Sequence, residues 1–600
     1  MAKELLKREE VKVENTWKIE DIYPSKAEWE ADLATCEELA EKIAGYEGKV
    51  GESAANLLQV LNWNAELGEK LMLAYNYSER LFDQDQKNTT HQAMSAKTTS
   101  VYAGIAEKTA FVDPEIVAID DEVLEGFYRE ESGLELYRKM IEEICRLKSH
   151  CLSAEMEKLL ALSTETRGVA SDTFSVLDNA DFQFPEVEDE KGEKVRITHG
   201  RYGRLQESAD RRVRKESFEK YYSVYKQFNN TLASLYNGHV KSLIFYAKAK
   251  KYASTLEAAV TRNNVSPQVY HNLVDTVNKH LDKLHRYVRL RKKCLGVDEL
   301  HMYDTRTPMI PDVAKEISFE DAKETVLKAL APLGEDYIAK LKEGFANRWI
   351  DVYENEGKRS GAYSAGAYGT HPFVLLNYNE SLDDMFTLAH EMGHALHSCY
   401  SNENQPFIYS DYKIFVAEVA STTNEILLME YLLKNTTDKK ERIYLLNHYL
   451  ESFKGTVFRQ TQFAEFEMRS NELCESGESL NASNLNEMYL ELNKKYYGPD
   501  MISDEEIQYE WSRIPHFYYN FYVYQYATSF SASVAVAKSI LREGAPAVAR
   551  YKEFLSGGCS KSPVELLKIA GVNMETPEPI EACMQAFDDV LKQMEELVGE

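Results

Sequence analysis

The chain has 600 residues, with 70 Lys and Arg against 98 Asp and Glu, and a formal net charge of −28. A hydrophobic share of 44% is enough for a large core, and 28 Gly with 15 Pro are too few for a collagen-like or low-complexity chain. The acidity excludes duplex nucleic acid as a partner, because phosphate contacts need clustered Lys and Arg, and no apolar run approaches the roughly 18–20 residues of a membrane span.

Met1 to Trp17 contains no apolar stretch of signal-peptide type, so a soluble protein kept in the cytoplasm is expected. The eight cysteines are sparse. Cys145 and Cys151, the nearest pair, fit no CxxC pattern, and reduced thiols are expected.

Residues 26–175 read as a series of amphipathic helices, with polar joints at Asn88-Thr89-Thr90 and Asp113-Pro114. Residues 181–200 break the pattern. Phe182-Gln183-Phe184 and Val195-Arg196-Ile197-Thr198 flank a charged, glycine-containing turn, which predicts a β-hairpin. This break divides the chain into a helical N-terminal region, 1–190, and a second region, 191–600. A second break, 357–378, carries Gly357, Gly361, Gly366 and Gly369, then the apolar run Phe373 to Leu376. It predicts a loop with one or two strands directly before a helix.

That helix carries chemistry. His390-Glu391-Met392-Gly393-His394 fits H-E-x-x-H, and Leu382, Met385, Leu388, Ala389, Met392, Ala395 and Leu396 repeat at helical spacing. Ser381 with Asp384 offers an N-terminal cap. On a helix, positions i and i+4 share a face, so both imidazoles can bind one cation, and Glu391 stands near enough to reach a water on it. Two imidazoles plus a carboxylate suit Zn²⁺, one per chain.

The carboxylate is expected from residues 410–434, a nearly apolar helix with one polar stripe of Glu418, Ser421 or Thr422, and Glu425. A carboxylate in so apolar a helix is costly unless paired or metal-bound. His390, His394 and Glu418 are therefore the expected zinc ligands and Glu391 the general base. Glu425 is read as the acceptor for the free N–H of a ligand imidazole. His397 is read as a non-ligand because Glu418 completes the set. Further on, residues 515–530 are the densest tyrosine cluster and are predicted as one helix opened by Pro515, with His516, Tyr519, Tyr522 and Tyr526 on a single face. Neutral donors of this kind can hold an oxyanion beside a metal; an aromatic core stripe has the same spacing.

The ordered set of segments resembles the oligoendopeptidase F group of the thimet-oligopeptidase-like M3 metallopeptidases. The segments are Gly361 to His397, Phe415 to Ser421, His516 to Ala527, Trp17 to Pro24 and Phe554 to Gly558. The resemblance implies a mostly α, large two-lobed ellipsoid of the gluzincin type. A deep internal channel and a small β-sheet near the active site belong to it. It implies endopeptidase action on short, unstructured peptides, in a monomer or small homo-oligomer. It assigns His516 to the transition state and Tyr526 to the oxyanion, with Tyr519 and Tyr522 as neighbours. It places Gly366, Tyr368, Gly369 and His371 along the substrate, where the strand could pair with peptide backbone. Two rival readings stand beside it, a zinc exopeptidase and a non-catalytic peptide-binding protein. Residues 361–378 contain no Met or Glu, so a GxMEN-like amine-holding segment is missing, whereas Arg513 could anchor a terminal carboxylate.

Overall fold

The computed structural model describes residues 5–310 and 316–599. Helices dominate, as the Ala-, Leu-, Glu- and Lys-rich periodic segments predict. Among the described residues no helix is long and apolar enough to cross a membrane, and all eight cysteines are free thiols. Two compact units form, each from three stretches of chain. The first gathers Met1–Ser149, Lys315–Tyr431 and Val536–Gly571; the second gathers His150–Ala314, Leu432–Ala535 and Val572–Glu600. This division by contacts differs from the chain division at 190/191.

In the first unit, helices Lys26–Ala44, Ala54–Gln84 and Thr89–Thr109 pack around Trp29, Leu33, Leu57, Leu61 and Ile43. Asn88 caps the third, its side chain accepting from the Thr90 and His91 N–H groups, so that joint falls where the sequence put it. The second joint does not: Asp113 and Pro114 lie in the first turn of helix Val112–Ala118, where the missing proline N–H has no helical partner to lose. Trp17 is buried against Phe373 and Tyr363, with ring centroids 6.3 and 6.4 Å away, and its indole N–H reaches Gln84 at 2.9 Å. It fastens the N-terminal segment to a three-stranded sheet. In this sheet Phe373–Leu375 is central, parallel to Ile350–Asp351 and antiparallel to Tyr363–Ala365. All three residues of the central strand are buried, which is why it reads as an unbroken apolar run.

In the second unit the 39-residue helix Arg211–Ala249 is the spine. The expected hairpin is present but displaced. Glu186–Glu188 pairs with Lys194–Arg196, so the 190/191 cut falls in its turn. Phe182 and Phe184 precede the strand. They pack on the spine instead, Phe184 stacked on Tyr221 at 4.9 Å and Phe182 edge-on to Tyr225 at 5.3 Å. Aromatic burial outweighs strand pairing for that pair.

Candidate metal centre and a tyrosine cluster

The sheet delivers the chain to helix Leu382–Asn404. Ser381 accepts from the Asp384 N–H at 3.1 Å while the Asp384 carboxylate accepts from the Ser381 N–H at 3.0 Å. This reciprocal cap fixes where the helix starts, and so which way His390 and His394 point. The chain turns through Phe407–Ser410 and re-enters helix Ile414–Asn435. Segment 556–559 holds that turn. Gln405 Nε2 donates to the Ser556 carbonyl at 2.8 Å and the Cys559 N–H to the Tyr409 carbonyl at 2.9 Å.

The two helices meet at Gly393. A Cβ there would stand 2.6 Å from Ser421 Cα and 2.9 Å from the Ala420 carbonyl oxygen. Asn424 binds across the crossing, its Nδ2 donating to the Ala389 carbonyl at 3.0 Å, and Tyr337 Oη donates to Asn424 Oδ1 at 3.0 Å. The Gly393→Ala variant is therefore expected to lose roughly 1–3 kcal/mol of stability from overpacking against backbone. A Tm equal to that of the parent protein would show that the crossing yields without cost.

Close crossing brings the donors together. His390 Nε2 lies 3.4 Å and His394 Nε2 3.7 Å from Glu418 Oε2, and the three ligand atoms all fall within 4.8 Å of one another. Tetrahedral Zn²⁺ with bonds near 2.0–2.1 Å needs donors roughly 3.3–3.4 Å apart. The donor set and its spacing fit such an ion with small side-chain adjustments. Glu425 takes the other nitrogen of His390, Nδ1, through Oε1. Burial works against charge on His390, but that hydrogen bond and the Glu425 charge outweigh it, up to about 9. His394 goes the other way, to about 3, through burial and the neighbouring His390. Glu391 is 6% exposed, and burial lifts its carboxyl to about 7, against a backbone hydrogen bond from Ser364. Its Oε2 has no protein partner. A buried polar atom left open beside a donor trio fits a site that also holds water or substrate. His397 stays outside the trio, stacked on Tyr412 at 3.7 Å.

A cavity of about 380 Å³ opens beside His394 and Glu418. Gly366 and Tyr368 line it, and a Cβ at Gly366 would meet Ser398 Oγ at 2.5 Å. Gly369 is not among its lining residues but sits in a left-handed turn at φ 83°. His371 is engaged elsewhere: it stacks on Trp349 at 5.3 Å and its Nε2 lies 3.2 Å from Asp21. Sequence reasoning missed Ser398, Asn402, Tyr412 and Met72, which also line the cavity. Ser398 and Asn402 follow His394 at i+4 and i+8, so helical periodicity could have found them. Met72, on a helix far away in sequence, left no such signal.

In the second unit, residues 515–530 are not one helix. A 3-10 turn, Pro515–Tyr518, is followed by a break, and an α-helix starts at Tyr524. Asn520 and Phe521 adopt left-handed backbone at φ 55° and 56°, which costs roughly 1–2 kcal/mol for a residue with a Cβ and less for Asn. The rings gather nonetheless. His516 has Tyr519, Tyr522 and Tyr526 at 5.4, 6.3 and 6.0 Å, and Tyr526 Oη is 3.5 Å from His516 Nε2. Burial lowers the pKa of His516, which favours the neutral ring. Arg513 is committed within this unit, to Glu510 at 2.5 Å and Tyr222 Oη at 3.1 Å.

An HExxH helix crossed by a carboxylate-bearing helix is an arrangement that peptidases use. Within that class the chain belongs to peptidase family M3, whose sequence model matches residues 204–586, while the oligopeptidase F N-terminal model matches residues 115–184. It is 49% identical over 597 residues to oligopeptidase PepF of Bacillus subtilis, spanning 100% of this chain and 89% of that one. It is 43% identical over 592 residues to an oligoendopeptidase F homolog of Lactococcus lactis, spanning 98% of each chain. The solved structure of oligoendopeptidase-F from Enterococcus faecium superposes with a TM-score of 0.75 at 41% identity, covering 96% of this chain and 99% of that one.

Proposed function

We propose that this peptidase is a zinc-dependent endopeptidase that cuts internal bonds of short, unstructured peptides in the cytoplasm. The observation that carries the reading is the trio His390, His394 and Glu418 with the open Glu391 carboxylate beside it. His390 and His394 would hold the metal through Nε2, and Glu418 through a carboxylate oxygen. Zn²⁺ bound there supplies Lewis-acid polarisation of the scissile carbonyl and lowers the pKa of a water to about 7. Glu391 takes the proton from the attacking water and carries it to the leaving amine nitrogen. His516 and Tyr526 donate hydrogen bonds to the developing oxyanion, with Tyr519 and Tyr522 beside the substrate. Gly366 and Tyr368 line the cavity that takes a substrate side chain. The short-peptide preference rests on the relatives, which are oligopeptidases and oligoendopeptidases by name.

Glu425 orients His390 and raises its basicity. The Glu425→Gln variant is expected to bind zinc 10- to 100-fold more weakly, the usual cost of losing such a partner. Chelator competition measures this; parent-level affinity would remove Glu425 from the metal's support. Arg513, the anchor a carboxypeptidase would need, has its guanidinium paired with Glu510, which supports the endopeptidase reading over that rival. The deciding experiment is mass spectrometry of products from short peptides with free and blocked ends. Internal cuts that ignore end blocking support the proposal. Trimming that stops at a blocked end replaces it with an exopeptidase, and no cleavage by zinc-loaded protein with a binding module.

A further inference from the structure

We infer that Glu467 is a positioning residue for this peptidase: from helix Arg459–Glu475 its carboxyl holds the left-handed turn at Asn520–Phe521, and so sets where His516, Tyr519, Tyr522 and Tyr526 converge. The inference rests on the oxyanion role proposed for His516 and Tyr526, and applies within the second unit.

Glu467 is 1% exposed, yet no ion pair reaches it among the described residues. Its Oε1 accepts from the Phe521 N–H at 2.7 Å, and its Oε2 has no hydrogen-bond partner. The surroundings are neutral. The phenols of Tyr236 and Tyr270 come from neighbouring helices, and each already has its own partner, Ser470 Oγ at 2.8 Å and the Ala464 carbonyl at 2.7 Å. Phe521 and Tyr524 pack on the Tyr270 ring at 5.7 and 5.0 Å. An unpaired acid in so apolar a place is expensive to keep, and burial drives its pKa up to about 8, against the pull of the Phe521 N–H. A neutral carboxyl therefore stands where an apolar side chain would pack at less cost. What it does there is take up a backbone N–H that no helix can use, because the turn interrupts the helical ladder. Without this anchor the strained turn has an easy relaxation, continuation of the 515–518 and 524–543 helices toward each other. That change would set Tyr522 and Tyr526 roughly 9 and 15 Å along a helix axis from His516, at about 1.5 Å per residue, and undo their gathering around its ring.

Two variants and two readouts test this. Glu467→Gln keeps a neutral acceptor of the same reach and is expected to keep kcat and the slow amide hydrogen exchange of the 519–522 segment. Glu467→Asp withdraws the acceptor by one methylene. It is expected to lower kcat about 10- to 100-fold with KM nearly constant, on the scale of a misplaced catalytic group, and to speed exchange in that segment. Parent-level exchange and kcat in Glu467→Asp would overturn the inference. So would a Glu467→Gln variant that loses as much as Glu467→Asp, because a charge and not an acceptor would then be required. Exchange is read without turnover, so fast exchange with unchanged kcat in Glu467→Asp would leave the anchor standing and sink the oxyanion roles.

Discussion

Replacing Glu391 by Gln is expected to leave the metal content unchanged and to reduce kcat by about 10²–10⁴, the range spanned by general acid–base catalysis. The side chain keeps its shape, and none of the three donor residues is touched. What changes is the ability to accept a proton. In the parent protein the Glu391 carboxyl is buried with Oε2 unpartnered, so no protein group competes with water for it. The two measurements are needed together, metal by atomic emission and turnover on a cleavable peptide. Loss of metal alongside activity would make Glu391 part of the site's scaffold. Retained turnover would remove it as the base.

Replacing Tyr526 by Phe is expected to cost about 10²–10³ in kcat, the cost of one lost oxyanion donor, with KM changed little. The ring stays, with its edge contact to Tyr522 at 5.4 Å, and only the hydroxyl 3.5 Å from His516 Nε2 is removed. Since the phenol acts only on charge that develops during the reaction, ground-state binding is spared. An unchanged kcat would transfer the role to Tyr519 or Tyr522, whose rings share the cluster.

The grouping of His390, His394 and Glu418 was legible because its information is local. Helical spacing puts His390 and His394 on one face, the Ser381–Asp384 cap is a four-residue pattern, and Glu418 stands out as an acid in an apolar helix. The crossing that joins them was not legible. Gly393 reads as an arbitrary position within HExxH until Ser421 is seen against it. The tyrosine segment misled for a related reason. Its composition is compatible with unbroken helix, and the turn at Asn520–Phe521 is held from a helix distant in sequence, through Glu467. Phe182 and Phe184 alternate like strand residues but answer to Tyr221 and Tyr225. His371, expected along the substrate, is instead drawn to Trp349 and Asp21. In each case a contact remote in sequence decided the local geometry.

The interleaved first unit has a consequence for synthesis on the ribosome. The trio His390, His394 and Glu418 is made by residue 418, but the segment that holds the turn between its two helices, 556–559, comes much later. At roughly 5–20 residues per second, the gap from Glu418 to Gly558 lasts about 7–28 s. Throughout that interval the donor helices lack their closing contacts, and the emerging chain is expected to be inert toward peptides. A chain released at residue 535 should show no cleavage, and turnover by such a fragment would mean that the site matures without its last clasp. A site that closes only after residue 558 is made would give the growing chain no activity while its own earlier segments are still unfolded.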